Sequence, residues 1–166
     1  MRRERIIEVM EQTRVLLERH TQTITALLLF IIALIVNLGV FCRYVLFAPL
    51  PWSEQIPKYA MVWMGFLGAS VGISQNRHIG FDVLIARLPL MVRKTIILAG
   101  RLLIMFFLVF MTSYGISLAF AVGFISSAPM LGIPMFYLFL AVPTGGILMI
   151  SQLAIRIVLD LLSLNE

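Results

Sequence analysis

An all-α integral membrane protein with four crossings is the fold class this sequence predicts, on three observations. Residues 102 to 155 run for 54 positions without one Asp, Glu, Lys, Arg or His. A bilayer core of about 30 Å takes roughly 20 helical residues, so this stretch is too long for one crossing and fits two. The chain is 61% hydrophobic, with mean hydropathy +1.02 and 13% charged residues, against about 25% charged in a soluble domain. The third observation is the segregation of lysine and arginine described below. At 166 residues, this is one membrane domain, 1–166.

Residues 4–20 are amphipathic. Ile6, Met10, Thr13 and Leu17 share a face at helical spacing, while Arg5, Glu8, Glu11, Glu18 and Arg19 lie mostly elsewhere. Two readings stay open: a surface helix on the bilayer or a partner, or an extension of the first crossing. That crossing is expected over 21–42, an uncharged run rising about 33 Å as a helix. It exceeds the apolar core of a signal peptide, and no A-x-A-like site follows, so it is taken as retained.

An interfacial connection is expected over 43–57. Tyr44, Phe47 and Trp52 suit the membrane–water boundary, where amphipathic rings settle. Ser53 can cap a short helix starting at Glu54, which Pro57 would limit. Arg43 and Glu54 have opposite charge near one face and can pair. The second crossing is expected over 58–76. Gly65, Gly68, Ala69 and Gly72 recur on one of its faces, and in lipid such small residues let backbones approach. They mark packing either on the chain's own helices or on another subunit.

The third crossing is expected over 95–124, with Arg101 about two turns in, and the fourth over 134–157. Between them, Ser126 to Pro134 carries the break. Pro143 with Gly145 and Gly146 should kink the fourth helix, since proline removes a donor and crowds the preceding turn.

Eleven cations gather on one side: Arg2, Arg3, Arg5, Arg14, Arg19, Arg77, Arg87, Arg93, Lys94, Arg101 and Arg156. The other side has Arg43 and Lys58. The positive-inside rule then places both termini in the cytoplasm, as four crossings require. The net charge of +5 is read as facing anionic headgroups of membrane phospholipids, with no nucleic-acid partner. Arg19, Arg77, His78, Asp82, Arg87, Arg93 and Lys94 are the candidate anchors on that side.

The chemistry of catalysis is absent. There is no Ser-His-Asp set, phosphate loop or HExxH, and the chain is expected not to be an enzyme. Cys42 stands alone, so no internal disulfide forms. His78 and Asp82 lie four apart, and two ligands make a poor metal site. Deep in the four spans the sizeable polar candidates are Asn37, Thr112, Ser113, Tyr114, Ser117 and Gln152, with no Asp or Glu at mid-depth. The hydroxyls are expected to bond their own backbone, and Gln152 a neighbouring helix. A transport pathway normally needs ionisable or unwound segments there.

The segment from Arg43 to Pro89 carries a family pattern. Arg43-Tyr44 is followed by Trp52-Ser53-Glu54, then Trp63, Phe66, Leu67, Gly68 and Ala69, then His78, Ile79, Asp82, Leu88 and Pro89. This resembles the small membrane subunit, DctQ type, of tripartite ATP-independent periplasmic (TRAP) transporters. It departs at Gln55, where the family pattern has a second acid, so a role needing two carboxylates is in doubt there.

The resemblance implies a bacterial or archaeal inner-membrane scaffold subunit. It implies a large DctM-type partner that moves as an elevator and holds sodium and an organic acid, and a periplasmic binding protein that delivers the acid. No cofactor is expected in this chain. The residues expected at a subunit interface or in a structural role are Arg43, Tyr44, Trp52, Ser53, Glu54, Trp63, Gly65, Gly68 and Gly72. The competing reading is a self-contained oligomeric carrier or channel. A haem-bearing subunit is disfavoured because both histidines lie outside the apolar spans.

Overall fold

The computed structural model describes residues 2–75, 90–129 and 131–163. Among the described residues five helices follow in order: α1 Arg2–Tyr44, α2 Trp52–Ser74, α3 Leu90–Val122, the single turn α4 Phe136–Phe139, and α5 Ala141–Ser163. Four helical segments among the described residues are long and apolar enough to cross a membrane: Ile7–Tyr44, Trp52–Ser74, Thr95–Val122 and Phe136–Leu159.

The amphipathic segment 4–20 does not lie apart from the first crossing. It runs into α1 as one helix of 43 residues, about 65 Å long and roughly twice a bilayer core. No proline or glycine interrupts the chain near Thr21, and Thr21 Oγ1 bonds the carbonyl of Leu17 one turn back. The helix ends after Tyr44. Ala48 N donates to Cys42 O at 3.0 Å across Phe47, whose φ is 54°. That bond spans seven residues and closes over a left-handed position that glycine normally takes.

The second helix begins at Trp52, not near Lys58, so the separate interfacial helix expected before it is absent. Pro57 lies inside α2 without ending it. Ser53 does not cap. It sits within the first turn, and its Oγ donates back to Leu50 O at 2.7 Å.

The break before the fourth long helix also differs from expectation. Pro143 lies in the first turn of α5, where a missing N–H costs little. Its absent donor leaves the Phe139 carbonyl without a helical partner, and the chain breaks there, between α4 and α5, at Leu140. The loop ahead of α4 satisfies much of its own backbone, as an apolar setting demands. Ala128 N reaches Ile133 O, Met135 N reaches Ser126 O and Phe136 N reaches Gly123 O, each at 2.9 Å. Gly132, at φ 64°, makes the reversal.

Helix α5 is the hub, packing on α2 and α3, while α1 packs chiefly on α2. Leu108, Met149 and Leu153 form the buried centre, flanked by Phe66, Ile73 and Ile104. Only 6% of the most apolar window of the first span is buried within the chain, against 39% in the fourth. Most of the apolar surface of α1 and α3 therefore faces outward.

Candidate functional site

Three regions carry the residues singled out above: a polar knot at the end holding the N-terminal part of α1, the opposite end where α1 turns into α2, and the open face of α2.

The knot joins three helices. Arg14 of α1 donates to Ser74 O at 2.9 Å and to Ser74 Oγ at 3.3 Å. It also pairs with Glu11 and lies 3.6 Å from Glu18. Glu18 accepts from Ser74 Oγ at 2.6 Å and from Gln75 Nε2 at 2.9 Å. From α5, Arg156 also donates to Ser74 O. Two guanidiniums thus converge on the C-terminal carbonyls of α2, which lack helical donors and carry the negative end of its dipole. The knot ties the extension of α1 to the ends of α2 and α5. Its acids were not singled out as a site in the sequence, although the spacing Glu11, Arg14, Glu18 is that of neighbours on one helix face.

Arg19, expected as an anchor, is exposed beside the knot. Arg77, His78, Asp82 and Arg87 lie outside the described residues. Arg93 and Lys94 fall in the first turns of α3, and their side chains are outside the described set. Among the described residues, no three His, Cys, Asp or Glu side chains gather as metal ligands.

At the opposite end, Arg43 and Glu54 form the anticipated ion pair, each side chain about half exposed (52% and 51%). Tyr44 is exposed, Trp52 half-buried and Ser53 buried. Ser53 is buried because Gly39 admits it: a Cβ at Gly39 would stand 2.5 Å from Ser53 Oγ. Trp63 reaches from α2 to α4, donating its indole N–H to Tyr137 O at 3.1 Å. It lines an apolar groove of about 560 Å³ with Ile24, Leu28, Tyr59 and Leu138.

The glycines divide into two sets. Like Gly39 and Gly123, the trio Gly115, Gly145 and Gly146 makes close approaches within the chain. An added Cβ would stand 2.7 Å from Val142 Cγ1, 2.6 Å from Phe66 Cβ and 2.1 Å from Thr112 Oγ1 respectively. At Gly65, Gly68 and Gly72 it would meet nothing within 4 Å. Among the described residues, therefore, none packs closely on the stripe of α2.

Thr112 bonds Leu108 O at 2.7 Å and Ser113 bonds Phe110 O at 2.8 Å, each on its own helix. Asn37 does the same with Ala33 O. Gln152 departs from expectation. It is 1% exposed, yet neither its Nε2 nor its Oε1 has a hydrogen-bond partner, and Ser70 Oγ has none either. Each lies one turn deeper than the contact of Arg156 with Ser74, so the register of the parallel helices α2 and α5 brings them to one level.

Comparison with known proteins follows this geometry. The profile of the family described as "Tripartite ATP-independent periplasmic transporters, DctQ component" matches residues 32–163. The C4-dicarboxylate TRAP transporter small permease protein DctQ of Rhodobacter capsulatus is 34% identical over 101 residues, 60% of this chain and 44% of that protein. The chain's match thus spans less than half of that relative. A putative TRAP transporter small permease protein of Haemophilus influenzae (strain ATCC 51907 / DSM 11121 / KW20 / Rd) is 27% identical over 133 residues, 79% of this chain and 81% of that one. The sialic acid TRAP transporter permease protein SiaT of Haemophilus influenzae (strain 86-028NP) is 38% identical over 52 residues, 31% of this chain and 8% of that protein.

Proposed function

The chain belongs to the DctQ component family of TRAP transporters, and from that premise we propose that it is the fixed scaffold on which a large DctM-type membrane subunit is held. In this reading the large subunit carries the sodium and organic-acid sites and moves as an elevator, and a periplasmic binding protein supplies the acid. The small subunit contributes no catalytic chemistry and no cofactor of its own. Both termini and the knot face the cytoplasm of a bacterial or archaeal cell, and the Arg43–Glu54 end faces the periplasm.

The observation that carries this reading is the open stripe of Gly65, Gly68 and Gly72. Apolar side chains alone gain little from one another in lipid, where the tails are as apolar as leucine. A small-residue face therefore earns association through close backbone approach. This chain satisfies its internal approaches with other glycines and leaves that face for another helix. Support also comes from the short match to a permease protein of which it spans only 8%, consistent with a large membrane partner. Arg43, Glu54 and Trp63 then stiffen the scaffold, and the cytoplasmic cations hold anionic headgroups.

Co-purification tests the assignment. Gly68→Leu should leave the chain folded and abolish recovery of the large subunit with it, together with substrate uptake. Normal assembly and uptake in that variant would remove the basis for the α2 interface. Transport by this chain alone in liposomes would overturn the scaffold reading.

A further inference from the structure

Two shallow grooves meet where α1 ends and α2 begins, sharing Arg43, Glu54 and Lys58 on their walls. The larger, about 360 Å³, runs down from that polar rim along Val36, Val40 and Met61. From Val36 to Arg43 is seven residues of helix, about 10 Å of depth. The smaller, about 280 Å³, lies at the outer end and is lined in part by Gln55.

The rim has a net positive charge. Arg43 and Lys58 outnumber Glu54, and they are the chain's two cations on this side. Glu54 is already engaged by Arg43 through Nη2, and a guanidinium has further N–H donors to offer. The Gln55 carbonyl oxygen is buried without a hydrogen-bond partner. An acceptor in that state costs free energy until a donor reaches it. The groove therefore combines an apolar floor with one net positive charge, and Gln55 lines its outer end.

We propose that this groove seats one anionic phospholipid. Its phosphodiester lies against Lys58 and Arg43, its hydroxylated headgroup turns toward Gln55, and the first part of one acyl chain runs along Val36, Val40 and Met61. The single negative charge of a phosphatidylglycerol headgroup balances the rim, whereas a zwitterionic headgroup leaves it uncompensated. The site lies at the end opposite the cation-rich one, where bulk charge attraction to the bilayer is weakest. It rests on the membrane reading of the chain and not on which partner binds α2.

Native mass spectrometry of the full-length chain in detergent tests it, by titration with phosphatidylglycerol and with phosphatidylethanolamine of the same acyl chains. One phosphatidylglycerol should be held in preference. Lys58→Gln should weaken it about five- to tenfold, the worth of one cation near an anionic lipid surface, and Lys58→Arg should restore it. Met61→Trp, which fills the apolar floor, should weaken both lipids. Equal retention of the two lipids, or no change in Lys58→Gln, overturns the proposal. Competition by inorganic phosphate at the lipid's own affinity overturns it too, since the site would then recognise a free anion. Because the large subunit is absent from this measurement, failure here is separate from failure of the Gly68→Leu co-purification.

Discussion

Substituting Gly146 by alanine separates the glycines that build this fold from those that do not. A Cβ there would stand 2.1 Å from Thr112 Oγ1, 3.2 Å from its Cβ and 3.5 Å from its Cγ2. The first distance is far inside contact, so Thr112 must turn or α5 must back away from α3. Turning breaks the bond to Leu108 O and moves a β-branched side chain out of a restricted rotamer. Overpacking of this kind costs about 1–3 kcal/mol. Gly68→Ala is the matched comparison. Its Cβ enters open space, and the gain in helix propensity makes it neutral or up to about 1 kcal/mol more stable. Reversible unfolding of the chain in mixed micelles measures both. Thr112→Ala in the Gly146→Ala background removes the clashing oxygen and should recover most of the loss, giving a coupling of about 1–2 kcal/mol in a double-mutant cycle. If Gly68→Ala proved the more damaging variant, or the cycle showed no coupling, the division of glycines drawn from the packing would be wrong.

Three further outcomes are expected. Arg14→Gln should destabilise the chain by about 1.5–3 kcal/mol, because it removes charge-assisted bonds to the end of α2 and leaves Glu18 poorly compensated, whereas the exposed Arg19→Gln should fall within about 0.5 kcal/mol; amide exchange near Ser74 reports the difference. Glu54→Gln should change stability by no more than about 1 kcal/mol, as expected of a half-exposed pair, and that difference should vanish near 1 M salt, where screening acts within about 3 Å. Trp63→Phe should cost about 0.5–1.5 kcal/mol through loss of the bond to Tyr137 O, with amide exchange rising around α4 and the start of α5.

Much of this architecture was legible in the sequence because lipid imposes a simple rule. Backbone groups must be satisfied within each crossing, so apolar runs of sufficient length become helices. The four runs, the turn at Ser126–Pro134 and the pairing of Arg43 with Glu54 all follow from length and charge. Boundaries were less legible where a proline was involved. Pro57 was expected to limit a helix and lies inside one, while Pro143 was expected to kink the fourth crossing, which breaks ahead of it at Leu140 and leaves Pro143 in the first turn of α5. Proline specifies a missing donor, and its neighbours decide whether the helix ends, continues or starts there. Residues 4–20 continue α1 and are held by contacts far along the chain, with Ser74 and Gln75, which no local pattern contains.

The sequence by itself determined the class of molecule, the number of long apolar helices and the family motif between Arg43 and Pro89. These depend on composition and on spacing along one helix. Only the tertiary structure decided which glycines touch another helix. Gly65, Gly68 and Gly72 recur at three- and four-residue spacing and Gly145 and Gly146 are adjacent, yet the rotation of α2 about its own axis turns the first set away from the described residues, while α5 turns Gly145 toward Phe66 and Gly146 toward Thr112. That rotation is set by packing against three neighbours at once, through contacts between residues distant in sequence.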